Sequence, residues 1–406
     1  MGKKNVKRLL AMLALSSVVV SSVGGSVFAA GKVNTPVNGT TTQFDKYLVL
    51  DQQANVPNAQ FAFTVSAGTH INGVTGTADS NANPEILAGV EPEKVTVTIG
   101  KFAPGDTTAT TAGDSTVVLE AGEKFATKVA TVSFENVQFR NPGVYRYVIK
   151  ETDPNIDGIV IDDVKADGTT SGTRILDVYI DTDEDGRLFV NGYALHKSVA
   201  VAHNSDSTGG SDVTTYESSK DKGFQNKFIT SDLTIEKQTT GNMGNRAEYF
   251  KFTVEITGAI GGSVFDVDLT NAEASLDGHT NVARLTASET GAVTQDFWLK
   301  DDQSIKIQGL NPSVKYKVTE TTVETEGYRV SHVITSGEAA GSPQNSKVTA
   351  LTTIGEDDDT VVYTNYRNGV VPTGYFLEYA PYIIASLLFA VALIVFAVKS
   401  SKRKRA

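Results

Sequence analysis

Phe61-Ala62-Phe63-Thr64-Val65 alternates between two sets of side chains, and Phe250-Lys251-Phe252-Thr253-Val254 alternates in the same way. A period of two sends successive side chains to opposite faces of a strand, so both runs read as β-strands with an aromatic face toward a core. Each run follows a lysine across a polar turn, Lys46 before the first and Lys237 before the second. Downstream, Asn141-Pro142-Gly143-Val144 leads to Tyr147-Val148-Ile149-Lys150-Glu151. Its echo is Asn311-Pro312-Ser313-Val314, leading to Tyr316-Lys317-Val318-Thr319-Glu320. Each unit closes on an aromatic-x-Asn triplet, Phe224-Gln225-Asn226 and Tyr363-Thr364-Asn365. The order Lys, Glu, Asn beside one apolar pattern therefore occurs twice. That means two homologous domains and not a solenoid, whose repeats are shorter.

The same alternation recurs at Lys94-Val95-Thr96-Val97-Thr98, Thr131-Val132-Ser133-Phe134, Tyr145-Arg146-Tyr147-Val148-Ile149, Ile175-Leu176-Asp177-Val178-Tyr179-Ile180 and Val361-Val362-Tyr363-Thr364. Gly, Asp, Asn and Pro bound these runs, and no sustained helical periodicity lies between the termini. The expected fold class is all-β, two tandem Ig-like β-sandwiches. The boundary falls at the polar Thr230-Ser231-Asp232, giving domains over 30–228 and 229–368. The first is longer, with insertions from Gly100 to Gly122 and from Ile156 to Gly172 that are expected to be surface loops.

Both ends carry processing signals. Lys3, Lys4, Lys7 and Arg8 precede an apolar core from Leu9 to Val20, and Val27-Phe28-Ala29 offers small residues for cleavage. That is the pattern of a secretory signal peptide over 1–29. At the other end, Val370-Val371-Pro372-Thr373-Gly374 precedes an uncharged, mainly apolar run from Tyr379 to Val398. At 1.5 Å per residue, roughly 20 helical residues span a hydrocarbon core about 30 Å thick. Lys399, Lys402, Arg403, Lys404 and Arg405 follow, and basic residues stay on the cytoplasmic side. The order of polar motif, span and basic tail over 369–406 resembles a Gram-positive sortase sorting signal. The adjacent Pro372 and Thr373 make it similar to the VPTG-type signal of one family of major pilins, rather than to the common LPxTG form.

The chain carries a formal net charge of −11, and the basic clusters sit in the terminal signals, so the body between them is more acidic still. Such a body repels phosphate backbones, which argues against nucleic-acid binding, and it suits an exposed surface protein. There is no cysteine, so disulfides, thiol chemistry and Cys-based metal sites are excluded. A secreted chain under load then needs some other cross-link.

With the repeat and both signals, the whole chain resembles Gram-positive backbone pilins that form internal Lys–Asn isopeptide bonds in CnaB-like sandwiches. The resemblance implies that Lys46 and Asn226 join under the influence of Glu151, and Lys237 and Asn365 under that of Glu320. It implies that a pilus-specific sortase cleaves between Thr373 and Gly374 and links Thr373 to a lysine of the next, identical subunit. In the family that lysine precedes the last strand of the first domain. Here Ser218-Ser219-Lys220-Asp221-Lys222-Gly223 occupies the place in a shifted register, which gives Lys220 with Lys222 as the alternative. Minor pilins and peptidoglycan are the further partners implied. The membrane serves only the precursor, the location is the cell surface, and no cofactor or metal is involved.

The chemistry can be argued from the residue types alone. A lysine amine attacks only when neutral, and burial lowers its pKa while raising that of a neighbouring glutamic acid. The protonated acid can polarise the asparagine carbonyl and then deliver the proton with which ammonia leaves. Phe61, Phe63 and Phe224, with Phe250, Phe252 and Tyr363, are the expected apolar shells. A bond between first and last strands would close a long loop, worth roughly 5 kcal/mol by analogy with disulfides.

Other motifs are weak. Asp181-Thr182-Asp183-Glu184-Asp185-Gly186 begins like an EF-hand loop, but its last ligand position is Gly192, so a hairpin turn is the better reading. His70, His196, His203, His279 and His332 lack metal-ligand spacing, and no nucleophile elbow or phosphate loop occurs. Asn38-Gly39-Thr40 matches a glycosylation sequon by pattern only. A structural pilus subunit is therefore expected, with self-cross-linking as its only chemistry. A wall-anchored adhesin or minor pilin and a surface hydrolase are the alternatives.

Overall fold

The computed structural model describes residues 39–72, 85–113, 115–198, 220–276, 278–321, 327–369, 380–391 and 393. The first part of the chain supplies β1 (Thr41–Asp51), β2 (Ala62–Ala67), β3 (Ile86–Ala88), β4 (Thr96–Ile99), β5 (Thr108–Ala109), β6 (Glu123–Ser133), β7 (Gly143–Thr152), β8 (Ile159–Val160), β9 (Thr173–Thr182), β10 (Leu188–His196) and β11 (Gly223–Phe228). The second supplies β12 (Ser231–Thr240), β13 (Phe250–Thr257), β14 (Val264–Asp268), β15 (Ser275–Leu276), β16 (His279–Thr280), β17 (Arg284–Thr286), β18 (Val293–Leu299), β19 (Ser304–Leu310), β20 (Lys315–Thr321), β21 (Arg329–Ser336), β22 (Thr352–Thr353) and β23 (Asp359–Tyr366). The all-β, tandem-sandwich expectation holds.

In the first sandwich one sheet runs β4-β6-β1-β11-β8, with β5 beside β6, and the other runs β10-β9-β7-β2, with β3 beside β7. In the second, β17-β14-β19-β12-β23-β21 faces β18-β13-β20-β22. Most neighbours are antiparallel, but the first and last strands of each unit pair in parallel, β1 with β11 and β12 with β23. The registers correspond: Leu48 lies opposite Asn226 and Thr239 opposite Asn365, so each asparagine meets the position two beyond the lysine. The glutamates sit on the facing sheets, Glu151 opposite Phe63 and Glu320 opposite Phe252.

Strand parity explains why the lysines point inward. Ser231, Leu233, Ile235, Lys237 and Thr239 are the alternate buried residues of β12. Phe250, Phe252, Val254 and Ile256 are those of β13. A residue on the core face of a strand is buried whatever its chemistry, because turning it outward would expose every apolar neighbour of the same parity.

Some local expectations need correction. Pro92 opens a 3-10 turn that runs to Lys94, so the strand there begins only at Thr96. The two insertions are not simply surface loops. Phe102 and Val117 from the first are buried, and Phe102 packs edge-on against Phe61 with ring centroids 5.5 Å apart. Asp162 and Ala166 from the second are buried as well. Sequence pattern missed this because single buried residues in irregular backbone carry no periodicity. Asp181 and Thr182 end β9, and Asp183 to Arg187 make the turn into β10, where Asp183 Oδ1 accepts the backbone N–H groups of Asp185 and Arg187.

The two sandwiches also touch. Asn55 donates to Asp266 at 3.0 Å and Asn58 to the Gly261 carbonyl at 2.9 Å, while Asp157 accepts from the Ser313 N–H at 2.7 Å.

The expected signal peptide and Pro372, Thr373 and Gly374 lie outside the described residues. Residues 380–391 and 393 are helical, with Leu387, Leu388 and Phe389 exposed. No helix among the described residues is long and apolar enough to cross a membrane.

β11 begins where backbone meets backbone. A Cβ on Gly223 would lie 1.7 Å from the Asp45 carbonyl oxygen of β1. Gly223→Ala should therefore push the strands apart and destabilise the first sandwich by about 1–3 kcal/mol or more. Denaturant unfolding with separate probes for the two sandwiches checks this; the second should be unchanged.

Candidate functional site

In the first sandwich Lys46 on β1 reaches across the core to Glu151 on β7, with Nζ 2.8 Å from Oε1 and 3.0 Å from Oε2. Asn226 on β11 donates from Nδ2 to Glu151 Oε1 at 2.8 Å. All three are essentially inaccessible, at 0%, 1% and 0% exposure for Lys46, Glu151 and Asn226. The walls are aromatic: Lys46 Nζ lies 4.8 Å from the Phe61 ring centroid and 6.0 Å from that of Phe224. Phe63 is half-buried and packs on Phe224 at 5.0 Å.

The second site repeats the plan. Lys237 Nζ is 3.5 Å from Glu320 Oε2, and Asn365 Nδ2 donates to Glu320 Oε1 at 2.5 Å. Lys237 Nζ lies 4.3 Å from the Phe250 centroid, and Phe252 packs edge-on against Tyr363 at 5.2 Å. Glu320 Oε2 and Asn365 Oδ1 are buried without a hydrogen-bond partner among the described residues.

Burial acts on both members of each pair. It lowers the Lys46 and Lys237 ammonium groups from 10.5 to about 8, against the pull of the adjacent carboxylates. It raises Glu151 and Glu320 above the usual carboxylate value, the lysines opposing the shift. Both shifts favour the neutral amine beside the neutral acid. A lysine whose neutral form is favoured by burial, an acid and a carboxamide are thus brought together in each core, where the surrounding strands hold them in place.

One detail departs from expectation. The asparagine carbonyl does not meet the glutamate; the amide nitrogen does, in both sites. In the first site the reason is visible: Asn226 Oδ1 accepts the backbone N–H of Asp162 at 2.9 Å. Asp162 and its partner Arg174 were missed by sequence reasoning because neither belongs to the repeated pattern. An arginine inside the otherwise apolar Thr173-Arg174-Ile175-Leu176 was the available signal, since a charge on a core strand requires a buried partner. Arg146 and Asp177 form another such pair, with two hydrogen bonds of 2.7 Å, and His196 lies 3.6 Å from Asp177.

Lys220 forms an isolated backbone bridge with His196 just before β11, and the Lys222 carbonyl accepts the Asp45 N–H at 2.7 Å. Both lysines are half-buried. Among the described residues no cluster of three or more His, Asp or Glu could hold a metal ion.

Residues 231–367 match a family model described as a domain of unknown function, DUF7601. A protein named Pilin from Streptococcus pyogenes serotype M1 is 24% identical over 386 residues, 94% of each chain. The pilus tip adhesin Cpa of Streptococcus pyogenes is 28% identical over 146 residues, 36% of this chain and 18% of that protein. A major pilin structure from Streptococcus pyogenes superposes with a TM-score of 0.51 at 19% identity, covering 81% of this chain and all of that one. The likeness to that structure is one of fold.

The lowered lysine pKa values have a consequence for stability. In an Asn226→Ala, Asn365→Ala double variant the lysines cannot be consumed. Between about 8 and 10.5 the folded chain then binds fewer protons at Lys46 and Lys237 than the unfolded chain does. Stability should therefore rise as pH climbs through that window, the burial cost being fully present below it. The glutamates act in the opposite sense: their stabilisation is present below 4.5 and lost as pH rises through their raised folded values. Denaturant midpoints at about pH 8 and about pH 10 test the lysine effect. Adding Lys46→Met and Lys237→Met should abolish the rise.

Proposed function

We propose that the chain is the structural backbone subunit of a covalently polymerised cell-surface pilus. The observation that carries this is the twofold occurrence of a buried Lys–Glu–Asn set at one register between parallel first and last strands. Similarity along almost the whole chain to a pilin supports it.

In each sandwich the neutral lysine Nζ attacks the asparagine Cγ. The glutamic acid relays an amine proton to Nδ2, the Cγ–Nδ2 bond breaks, and ammonia leaves. A secondary amide remains and the acid is regenerated. The reaction happens once per site, so the chain is not an enzyme in the ordinary sense. Parallel pairing lets tension that enters the second sandwich along β12 pass directly to β23 without loading the rest of the sheet, while in the first sandwich the bond fastens β1 to β11, the strand that load from Lys220 enters. A pilus-specific sortase then joins Thr373 of one subunit to Lys220 of the next, with Lys222 as the alternative. The signal peptide and the segment after Gly374 serve export and temporary membrane retention. Incorporation as a tip adhesin is the second reading, favoured by the similarity to the tip adhesin over part of the chain.

Intact mass of the purified extracellular portion should fall short of the sequence mass by two ammonias. Glu151→Ala should restore one and Glu320→Ala the other; a wild-type mass equal to the sequence refutes the internal bonds.

Lys220→Arg keeps a cation but offers no neutral amine at accessible pH. It should leave both internal bonds intact and remove the high-mass ladder from blots of cell-wall extracts. A ladder lost instead in Lys222→Arg moves the site, and a ladder that survives the double variant removes both lysines from the assembly. Labelling confined to fibre tips, with no ladder, would favour the adhesin.

A further inference from the structure

The two sites share their three reactive residues but not the surroundings of the asparagine carbonyl. As Nζ adds to Cγ, negative charge develops on Oδ1, and a fixed donor aimed at that oxygen lowers the barrier. Asn226 Oδ1 has such a donor in the Asp162 N–H at 2.9 Å, whereas Asn365 Oδ1 has none among the described residues.

The donor is held from several sides. Asp162 Oδ1 accepts the Val164 N–H at 2.8 Å, and Oδ2 accepts the Gln225 N–H at 2.7 Å, tying residue 162 to the strand that carries Asn226. Arg174, 2% exposed, donates to Asp162 Oδ2 and to Asp221 Oδ2, each at 2.6 Å, and its guanidinium lies 4.7 Å from the Phe224 ring centroid. The arginine thus fastens the 156–172 insertion and the segment leading into β11 to one strand of the facing sheet.

We propose that the Asp162 backbone N–H is the oxyanion donor of the first cross-linking site, and that Arg174 is the residue that positions it. This rests on the isopeptide chemistry proposed above. It divides the labour in the first site: Asp162 stabilises Oδ1 while Glu151, already on Nδ2, delivers the proton to the departing ammonia. In the second site Glu320 must serve both ends of the amide in turn, because rotation about the Asn365 Cβ–Cγ bond is what would bring Oδ1 onto the acid. The first sandwich therefore closes before the second.

The test follows both bonds in the same full-length molecules. Chains sampled at short times after a pulse of synthesis are digested, and the Lys46–Asn226 and Lys237–Asn365 peptides are quantified by mass spectrometry. Loss of one oxyanion donor costs on the order of 10²-fold in other acyl-transfer reactions, so the first bond should lead the second by at least about tenfold. Arg174→Met should slow the first bond and leave the second unchanged. Arg174→Lys, which keeps a cation without the fork that spans two carboxylates, should fall between. A merely structural role would lower the unfolding midpoint of the first sandwich without slowing its bond in molecules whose first sandwich resists protease. Should Arg174→Met fail to fold, Asp221→Asn loosens the arginine from its other end and is scored the same way. Equal rates at the two sites in the wild type, or an unaltered first-site rate in a folded Arg174 or Asp221 variant, overturns the proposal. Absence of both bonds from the wild type would instead refute the chemistry on which it rests.

Discussion

Everything in the two cores is arranged around a lysine and a glutamate buried together. A buried ion pair is a poor source of stability, since the cost of removing both charges from water commonly matches or exceeds their attraction. Lys46 with Glu151 and Lys237 with Glu320 are sealed at no more than 1% exposure, with aromatic rings against each lysine. Proton transfer from lysine to acid would relieve that cost and leave the neutral amine and neutral acid that the proposed cross-linking needs. In the proposed cross-linking, the apolar packing that stabilises each sandwich also primes its nucleophile, and the reaction would remove the buried charges by turning the amine into an amide.

The parallel pairing of first and last strands would give the proposed cross-links a mechanical role. In a sandwich of otherwise mainly antiparallel neighbours, β1 and β11 run side by side in the same direction, as do β12 and β23. Terminal strands that pair this way carry tension as shear along their hydrogen bonds. The proposed covalent tie across the second pair would carry the load past those bonds. The polar contacts between the sandwiches, Asp157 with Ser313 and Asn55 with Asp266 among them, are ordinary surface hydrogen bonds and offer no equivalent covalent path.

The first sandwich carries more than the second. Its insertions place Phe102 against Phe61 and Asp162 against Asn226, and its core strands hold two arginines with buried carboxylate partners. A broken arginine pair leaves an uncompensated buried charge, so these contacts enforce the relative position of β7, β9 and the chain entering β11 more strictly than apolar packing would. Lys220 lies at the end of this framework, bridged to His196, whose imidazole is held by burial down at about 4 and so stays neutral. A neutral ring beside the lysine adds no second cation to that corner.

The all-β class, the duplication, and which lysine, glutamate and asparagine stand in equivalent places are legible in the order of residues. Those are properties of period and order: alternation every second residue shows in a single run such as Phe250–Val254, and a repeated order shows when two such runs are compared. It took the folded chain to show that Lys46 and Glu151 come from facing sheets and meet at 2.8 Å, and that the amide nitrogen rather than the carbonyl faces the acid. The fold alone brought Asp162, from an insertion without periodicity, and Arg174 to the first site. Their positions depend on hydrogen bonds between segments distant along the chain, and a contact that occurs once, in one unit and in irregular backbone, leaves no pattern in the order of residues.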